Sequence, residues 1–314
     1  MIVIKYKVGI TGASGLLGKK ICNYFVKKGA DVNVLTRNPK KINNHKLVKI
    51  FEVDLQAPDI TKIKNFVKGL DLLFHLASEL KDESKMITTN YGGTKILADQ
   101  LLGKKTLFIY TSSIGVFDYS KSKIIKENGT KKQINLYEKT KFLSEEYLFK
   151  LKNENELNFV ILRPSIILDF EMKSKIINNF IHLNYLNIGL KIPKSVVLNF
   201  ILSKDVVEAL LKLSRQKKAI GKAFNLSSNI SLNSFTSEIE KLICKKIYYR
   251  ISFKLLLILI KLKYFFAVRK NGNSLKAFFS NVSIVSSEKI QNSINIKIDE
   301  NYFEFLKLYI EQKK

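Results

Sequence analysis

The stretch VGITGASGLLGKK, residues 8–20, constrains the fold of this chain more than any other, because it carries three glycines at a spacing of three. Gly12, Gly15 and Gly18 follow a short apolar run, and the amphipathic segment KKICNYFVKKG comes next. A dinucleotide site is built in this way, from a strand, a tight turn and a helix whose first backbone N–H groups bind the pyrophosphate. Glycine triplets alone are weak evidence, since turns in any fold use glycine for positive φ. The strand before and the helix after favour a cofactor site over a plain turn.

Short apolar runs alternate with longer amphipathic segments through the first half of the chain. The alternation is typical of parallel α/β folds, and the cores of LLFHLA and LFIYTSS are continuously apolar, as in a sheet covered on both faces. The predicted strands are Lys7–Thr11, Val32–Leu35, Val48–Glu52, Leu72–Leu76, Leu107–Thr111 and Phe159–Leu162. The predicted helices are Leu17–Lys28, Ile60–Lys68, Asn90–Leu102 and Tyr137–Lys150. The pattern predicts an α/β fold with a doubly wound parallel sheet.

After Arg163 the alternation becomes irregular. The stretch NFILSKDVVEALLKL, residues 199–213, predicts a strand, a turn and a helix, and AFNLSS, residues 223–228, predicts another short strand. The remainder from residue 233 is poor in glycine and is predicted to be mostly helical. Residues 1–168 are predicted to form a nucleotide-binding domain, which residues 199–228 also join. Residues 169–198 and 229–314 are predicted to form a smaller, mostly helical substrate lobe.

The chain is strongly basic, with 54 lysines and arginines against 27 acidic residues and a formal net charge of +27. Such a charge suits nucleic acid, an anionic membrane surface or a phosphorylated substrate. The lysines are scattered, however, and no basic run reaches the roughly five to eight residues of a nucleic-acid patch. We therefore predict no nucleic-acid partner.

The cysteines and two apolar stretches bear on the location of the protein. Cys22 and Cys244 are too few for a disulfide framework, which indicates a reducing compartment. The apolar part of the N-terminus is too short for a signal peptide, so we expect a cytoplasmic protein. The stretch SFKLLLILIKLKYFFAV, residues 252–268, contains three lysines, whereas a spanning helix needs about 20 predominantly apolar residues. We predict a packed helix there, for which contact with a membrane surface is also considered, and the alternative is a transmembrane span.

The end of the second predicted strand, NVLTRNPKK, bears on the choice of cofactor. An acidic residue at this corner would bind the ribose hydroxyls of NAD, whereas an arginine accommodates the extra phosphate of NADP. Thr36 and Arg37 occupy the corner, Lys40 and Lys41 follow, and the corner has no carboxylate. A solvated basic turn is the alternative in so lysine-rich a chain. We predict NADP as the cofactor, with NAD as the alternative.

A second cluster consists of YTSSIGVF, residues 110–117, and YEKTK, residues 137–141. Tyr137 and Lys141 are four residues apart, so they share one face of a helix, where the ammonium can lower the pKa of the phenol. The tyrosine can then act as acid or base for a hydroxyl that is being oxidised. Ser113, at the end of a neighbouring predicted strand, could hold the substrate oxygen. A lone Tyr-x-x-x-Lys is common by chance, but Ser113 and the glycine turn in the same chain favour a catalytic set.

Together these stretches resemble the extended short-chain dehydrogenase/reductase family, the NAD(P)-dependent epimerase/dehydratase group. The resemblance covers about residues 5–245 and fades after that. The motifs occur in the family's order, as TGASGLLG, VDL, HLAS, NYGGTKIL, TSSIGVF, YEKTK, LRPS, NFILSKDVVEAL and GKAFNLSS. As a set they are highly specific. The resemblance implies a Rossmann-type fold and an NAD(P)-dependent oxidoreductase or epimerase that acts on a secondary alcohol or ketone.

The resemblance also implies a role for each matching position. Tyr137 would be the general acid/base, Lys141 would bind the nicotinamide ribose and lower the tyrosine pKa, and Ser113 would orient the substrate. His75 and Asp205 match motif positions too, but we interpret both as structural and predict no metal site. The expected cofactor-binding residues are Gly12, Ser14, Gly15, Leu16, Leu17, Gly18, Thr36, Arg37, Asp54, Leu55, Leu76, Ala77, Ser78, Asn90, Tyr137, Lys141 and Pro164.

Two departures from the family pattern bear on the substrate. Many members that handle nucleotide sugars continue past LRP with Asn and Tyr-Gly-Pro, whereas this chain has SIILDF, residues 165–170. Leu198 stands where such enzymes commonly carry an arginine that grips the diphosphate, and Arg250 is a candidate replacement. We rank a nucleotide-activated sugar first as the substrate. The alternatives are a hydrophobic ketone, as in hydroxysteroid and dihydroflavonol reductases, and a catalytically idle protein that senses a dinucleotide or associates with RNA.

Family members often dimerise through a four-helix contact. In this chain that contact would use the predicted helices Asn90–Leu102 and Tyr137–Lys150. A homodimer is therefore an expectation that comes from the resemblance.

Overall fold

The computed structural model describes residues 6–154, 157–171, 174–243, 247, 249–252, 255, 281–299 and 302–312. Its strands are β1 (Lys7–Thr11), β2 (Asp31–Thr36), β3 (Val48–Glu52), β4 (Leu72–His75), β5 (Leu107–Thr111), β6 (Ile124–Ile125), β7 (Phe159–Pro164), β8 (Ile166–Leu168), β9 (Ile188–Lys191), β10 (Val197–Leu202), β11 (Lys222–Leu226), β12 (Ser228–Ser231), β13 (Tyr249–Ser252) and β14 (Ile284–Val285). Its α-helices are α1 (Leu16–Lys27), α2 (Ile60–Val67), α3 (Glu83–Met86), α4 (Gly93–Asp99), α5 (Leu136–Asn153), α6 (Lys175–Tyr185), α7 (Ser203–Leu213), α8 (Leu232–Ile243), α9 (Glu288–Ile294) and α10 (Tyr302–Glu311).

Seven of these strands form the main sheet, in the order β11-β7-β5-β4-β1-β2-β3. All of its pairings are parallel. The chain builds from β1 outward to β3, then crosses to β4 and continues in the other direction. The direction of building reverses between β1 and β4, and this position is the switch point of the sheet. Doubly wound sheets bind their ligands beyond the carboxyl ends of the strands at the switch point. The predicted doubly wound parallel sheet is confirmed.

The sheet is covered on both faces by apolar side chains. In β5, Leu107 and Ile109 belong to one hydrophobic cluster, and Phe108 and Tyr110 belong to another. Successive side chains of a strand point to opposite faces of the sheet. A strand buried on both faces therefore needs an uninterrupted apolar run, which is why the central strands could be recognised in the sequence.

The region predicted as one helix over Asn90–Leu102 folds differently. Helix α3 begins at Glu83, a π-helical turn covers Ile87–Gly92, and α4 ends at Asp99. The early start has a local cause, because the Asp82 carboxylate accepts a hydrogen bond from the Ser84 backbone N–H over 3.1 Å. π-helical turns are uncommon and often mark functional sites.

The segment after Arg163 divides between two sheets. Strand β11 is the edge of the main sheet, whereas β10 lies in a three-stranded sheet between β12 and β8. Strand β10 passes directly into α7 at Ser203, without the predicted turn between them. The reason is that Leu202 serves both as the last residue of the strand and as the N-cap of the helix.

Apolar residues of α6, α8 and α10 pack together with those of β9 and β10 in a separate cluster. Helix α9, by contrast, contributes Ile290 and Ile294 to the cluster on one face of the main sheet. The predicted division into two domains stays a prediction. Most of the predicted apolar helix 252–268 lies outside the described residues. Among the residues that the structure describes, no helix is long and apolar enough to cross a membrane.

Candidate active site

A cleft of about 540 Å³ lies at the carboxyl ends of β1, β2, β4, β5 and β7. Every residue predicted to be catalytic or to bind the cofactor lines this cleft, with the exception of Asn90. Several lining residues were not predicted, and among them are Glu79, Leu80, Thr89, Thr111, Ser112, Ile166 and Ile167. Most of them adjoin predicted positions along the chain. Their proximity to a motif was the signal that could have identified them.

Two glycines of the turn are needed for steric reasons, and the third leaves the start of helix α1 uncovered. Gly12 has a φ of +74°, and a Cβ there would lie 2.8 Å from the Ala77 backbone nitrogen. A Cβ on Gly18 would lie 2.2 Å from the Gly12 carbonyl oxygen, and that oxygen also accepts a 2.9 Å hydrogen bond from the Gly15 N–H. Gly15 occupies the N-cap of α1 without a side chain to cover the first turn. A helix N-terminus of this kind can bind phosphate.

The Ser113 side chain is held in a short turn after β5. It caps the 3₁₀ helix Ile114–Val116 by accepting a hydrogen bond from the Gly115 N–H over 3.1 Å. A Cβ on Gly115 would lie 2.7 Å from Cγ of Glu138, near the start of α5. Glycine therefore lets the serine turn approach the helix that carries Tyr137.

Helix α5 begins close to its catalytic candidates. Asn135 caps it by accepting a hydrogen bond from the Glu138 N–H over 2.9 Å, and the Glu138 carboxylate accepts one from the Ile134 N–H over 2.8 Å. Lys141, one turn later, donates a 2.8 Å hydrogen bond to the Thr111 carbonyl at the end of β5. Its Nζ lies 5.7 Å from the centroid of the Tyr137 ring. The structure thus brings Tyr137 and Lys141 to one face of the helix, as their spacing predicts.

The pKa of Tyr137 differs from the expectation. Burial raises the pKa of Tyr137 to about 12, with a further contribution from the Glu138 carboxylate, whereas we expected Lys141 to lower it. Burial also lowers the pKa of Lys141 to about 7, although Glu145 favours its charged form. Lys141 is 3% exposed. The protein alone therefore does not lower the tyrosine pKa, because burial disfavours the charged phenolate and the Glu138 carboxylate disfavours it further.

His75 is a structural residue of β4, as we interpreted it from the sequence. Its Nδ1 lies 2.7 Å from the Thr11 hydroxyl and its Nε2 lies 3.0 Å from the Thr94 hydroxyl. The Thr94 hydroxyl donates to the Asn90 carbonyl over 2.6 Å, so Nε2–H donates to Thr94 and Nδ1 accepts from Thr11. Burial lowers the pKa of His75 to about 3, which keeps the ring neutral.

Asn90 lies behind the cleft wall in the π-helical turn. Its side chain donates to the Glu79 carbonyl over 3.0 Å and to the Thr140 hydroxyl over 3.1 Å, and it accepts from the Glu79 N–H over 2.6 Å. Asn90 thus ties the loop after β4 to helix α5, which carries Tyr137 and Lys141. Asn90 was predicted among the cofactor-binding residues, and in the structure it braces the cleft wall without lining the cleft.

The far wall of the cleft is formed by the chain after β7. Pro164, Ser165, Ile166 and Ile167 line it. Leu198, at the position of the expected arginine, is 2% exposed and packs in the apolar cluster of the C-terminal part. Arg250 does not replace that arginine, since it forms an ion pair with Glu240 over 2.8 Å and is absent from the cleft lining among the described residues.

The lining of the cleft fits a nicotinamide dinucleotide. The buried hydroxyls of Ser78, Thr111, Ser112 and Ser165 line it and have no hydrogen-bond partner among the described residues. Buried polar groups are normally hydrogen-bonded, so these hydroxyls suit a polar ligand. The glycine turn provides the close backbone approach that a pyrophosphate needs. Within the described ranges, no group of three or more His, Cys, Asp or Glu side chains could hold a metal ion.

Curated proteins with similar sequences include reductases and epimerases. Cinnamoyl-CoA reductase 2 from Medicago truncatula is 26% identical over 237 residues, which cover 68% of this chain and 70% of the reductase. ADP-L-glycero-D-manno-heptose-6-epimerase from Brachyspira hyodysenteriae is 24% identical over 159 residues, and the match spans about half of each chain, 48% of this one and 50% of the epimerase.

The fold is similar to that of solved epimerases. The structure of UDP-N-acetylglucosamine 4-epimerase from Methanobrevibacter ruminantium M1 in complex with UDP-N-acetylmuramic acid has a TM-score of 0.75 with 17% identity, and the match covers 99% of each chain. The sequence model of the NAD dependent epimerase/dehydratase family matches residues 8–227, which is well over half of the chain. This protein therefore belongs to the NAD-dependent epimerase/dehydratase family of enzymes.

Proposed function

We propose that this protein oxidises or reduces a secondary alcohol or ketone, with Tyr137 as the acid/base. The observation that carries the proposal is the meeting of Ser113, Tyr137 and Lys141 in the same cleft as the glycine turn. The three side chains come from two separate elements, the turn after β5 and helix α5. A protein that only bound a dinucleotide would have no chemical need for this set beside the glycine turn.

Each residue has a part in the proposed reaction. A nicotinamide dinucleotide, when bound, supplies the hydride donor or acceptor. Tyr137, with a pKa of about 12, is protonated at neutral pH and so can donate its proton to a substrate oxygen during reduction. Ser113 would hold that oxygen, and Lys141 would bind the nicotinamide ribose. In the oxidation direction, the phenolate form of Tyr137 would take the proton of the substrate hydroxyl, so Tyr137 must first release its own proton to solvent.

A nucleotide-activated sugar is the first candidate substrate, in an epimerase or dehydratase/reductase reaction. Two of the similar proteins support it, because the heptose epimerase and the UDP-N-acetylglucosamine epimerase are both named for nucleotide sugars. The basic composition of the chain suits a phosphorylated substrate as well.

A hydrophobic ketone is the second candidate, as in hydroxysteroid or dihydroflavonol reductases. The observation that favours it is the aliphatic wall of Ile166 and Ile167, together with the engagement of Arg250 by Glu240. A relative named as a cinnamoyl-CoA reductase supports a reductase activity on a substrate that is not a sugar. A cleft with this wall would bind an apolar group beside the reacting carbon.

The remaining expectations belong to the same proposal. NADP is the proposed cofactor, because Arg37 lines the cleft at the end of β2, and NAD is the alternative. The protein is proposed to be cytoplasmic and to act without nucleic acid. A homodimer formed through α4 and α5 and a peripheral membrane contact are further expectations.

Mass spectrometry of small molecules released on denaturation tests the identity of the cofactor. A retained oxidised dinucleotide would favour an epimerase or dehydratase, and reversible NADPH binding a reductase.

The substitution Tyr137→Phe tests the catalytic part of the proposal. We expect turnover to fall by about 10²–10⁴-fold with little change in the Kd of NADPH, because only the transferable proton is removed. Tyr249→Phe is the matched control, since Tyr249 is 72% exposed and lies outside the cleft lining. Full activity of Tyr137→Phe would contradict the assignment. A wild-type protein that binds a dinucleotide but turns over no nucleotide sugar or ketone would favour the idle alternative.

A further inference from the structure

The Arg37 side chain, on which the choice of NADP depends, is paired with a carboxylate inside the cleft. Both terminal nitrogens of its guanidinium approach Oε2 of Glu79, at 3.4 and 3.5 Å. Arg37 follows β2 and Glu79 follows β4, and both line the cleft at the switch point of the sheet. The arginine side chain is 60% exposed, whereas that of Glu79 is 11% exposed. The acidic partner is thus the more firmly enclosed of the two.

Glu79 is fixed in position by backbone hydrogen bonds. Its Oε1 accepts hydrogen bonds from the N–H groups of Leu80 at 3.1 Å, Lys81 at 3.0 Å and Asp82 at 3.3 Å. The Glu79 backbone is also fixed by the Asn90 side-chain amide, which accepts a hydrogen bond from the Glu79 N–H and donates one to the Glu79 carbonyl. These N–H groups and the Arg37 guanidinium lower the pKa of Glu79, so the carboxylate stays charged at neutral pH. It cannot turn away from Arg37 without losing the bonds that form its loop.

We infer that Glu79 is a specificity-determining residue for the dinucleotide, which weakens the preference of Arg37 for a 2′-phosphate. The inference rests on the proposed dinucleotide site. A phosphate that approached Arg37 would meet the fixed negative charge of Glu79 and would have to share the guanidinium with it. A ribose with free hydroxyls carries no such charge and can donate hydrogen bonds to a carboxylate. Arg37 therefore favours NADP(H), Glu79 favours NAD(H), and the pair leaves the protein able to use both.

Binding titrations with NADPH and NADH test this inference without any need for a substrate. We expect Glu79→Gln to increase the affinity for NADPH over NADH by about fivefold, since one repulsive charge near the phosphate is removed. Glutamine retains a side-chain oxygen for the loop N–H groups, and the Tm of the variant checks that the loop is intact. Arg37→Gln should shift the ratio in the opposite direction. Glu208→Gln is the matched control, because Glu208 lies on α7 away from the cleft lining.

Salt provides a second measurement of the same effect. The shift caused by Glu79→Gln should shrink between about 0.05 M and about 0.5 M salt, because salt screens partly exposed charges. A shift that stayed undiminished would not arise from charge and would overturn the inference. An NADPH-to-NADH affinity ratio in Glu79→Gln within about twofold of the wild-type ratio would also overturn it. If the wild-type protein bound neither dinucleotide, the proposed function itself would fail instead.

Discussion

The two ends of the cleft are assembled in different ways. One end, which we propose to bind the dinucleotide and call the dinucleotide end, is one continuous segment, in which Gly12, Gly15 and Gly18 join β1 to α1 within a few residues. The other end, which we propose to be catalytic and call the catalytic end, combines Ser113 after β5 with Tyr137 and Lys141 on α5. The first end depends on local backbone geometry, and the second depends on packing between elements. The comparison teaches that a motif can specify its own geometry only when its residues are neighbours in the chain.

The catalytic end also receives support from a distant part of the chain. Val285 of β14 is fully buried and packs in one small cluster with Ile114 and Val116 of the Ser113 turn. The Tyr119 hydroxyl donates to the Ile114 carbonyl over 3.2 Å, and Ser283 donates to the Ser122 carbonyl over 2.6 Å. Strand β14 therefore supports the turn that carries Ser113 from outside the cleft.

The largest effect on dinucleotide binding is expected from Gly18→Ala, which alters the locally built end. The added Cβ would lie 2.2 Å from the Gly12 carbonyl oxygen, so the turn must shift away from the geometry that accepts a pyrophosphate. We expect NADPH and NADH to bind at least about 100-fold more weakly, as measured by fluorescence titration. Gly92→Ala is the matched control, since its Cβ would meet only an ordinary contact at 3.7 Å. Unchanged affinity in Gly18→Ala would show that the turn does not set the dinucleotide geometry.

A smaller effect is expected from Val285→Ala, which weakens the distant support of the catalytic end. Removal of the buried methyl groups should lower the free energy of unfolding by about 2 kcal/mol. Turnover should fall by about tenfold while the Kd of NADPH stays unchanged, because the Ser113 turn loosens and the glycine turn does not. Val282→Ala, at a position 47% exposed, is the control. Equal turnover in the two variants would contradict a supporting role for β14.

The smallest effect concerns pH and the burial of Lys141. Its folded-state pKa of about 7 lies below the value of about 10.4 for a lysine in water, so the unfolded chain binds more protons between these values. The free energy of unfolding should therefore rise as the pH rises from about 7 towards 10, and below about 7 the cost of burial is fully present. In the absence of dinucleotide, Lys141→Met should have the higher Tm at pH 7, by a few degrees, and the difference should close as the pH rises. Parallel Tm curves for the two proteins would contradict this assignment.

The positions of the candidate site residues could be predicted because the carboxyl ends of parallel strands converge on one edge of the sheet. All the predicted residues except Asn90 line the cleft, and Asn90 braces Glu79, which does. Glu79 was missed although it follows HLAS directly. Its importance depends on Arg37, which lies 42 residues earlier, and such a pairing has no signal in either local sequence.

A helix was predicted over Asn90–Leu102, and the structure has helical residues there, but the helical region begins and ends earlier than predicted. The pattern of apolar residues indicates a helix, but the π-helical turn over Ile87–Gly92 interrupts it. Asn90 sits in that turn, where its side chain bonds to Glu79 and Thr140 of two other segments. A requirement that arises from two distant segments cannot be read from the periodicity of one helix.

The amino-acid sequence by itself determined the doubly wound sheet, its strand positions and the glycine turn, because hydrophobic periodicity and backbone freedom are properties of neighbouring residues. Only the tertiary structure decided the charge-related properties of the site. The pKa values of Tyr137 and Lys141 follow from how deeply both lie in the protein, and the pairing of Arg37 follows from the approach of β2 to the loop after β4. Burial and long-range contacts are set by the packing of the whole chain. Each part of the chain that excludes water from a charged side chain changes the free energy of the charged form.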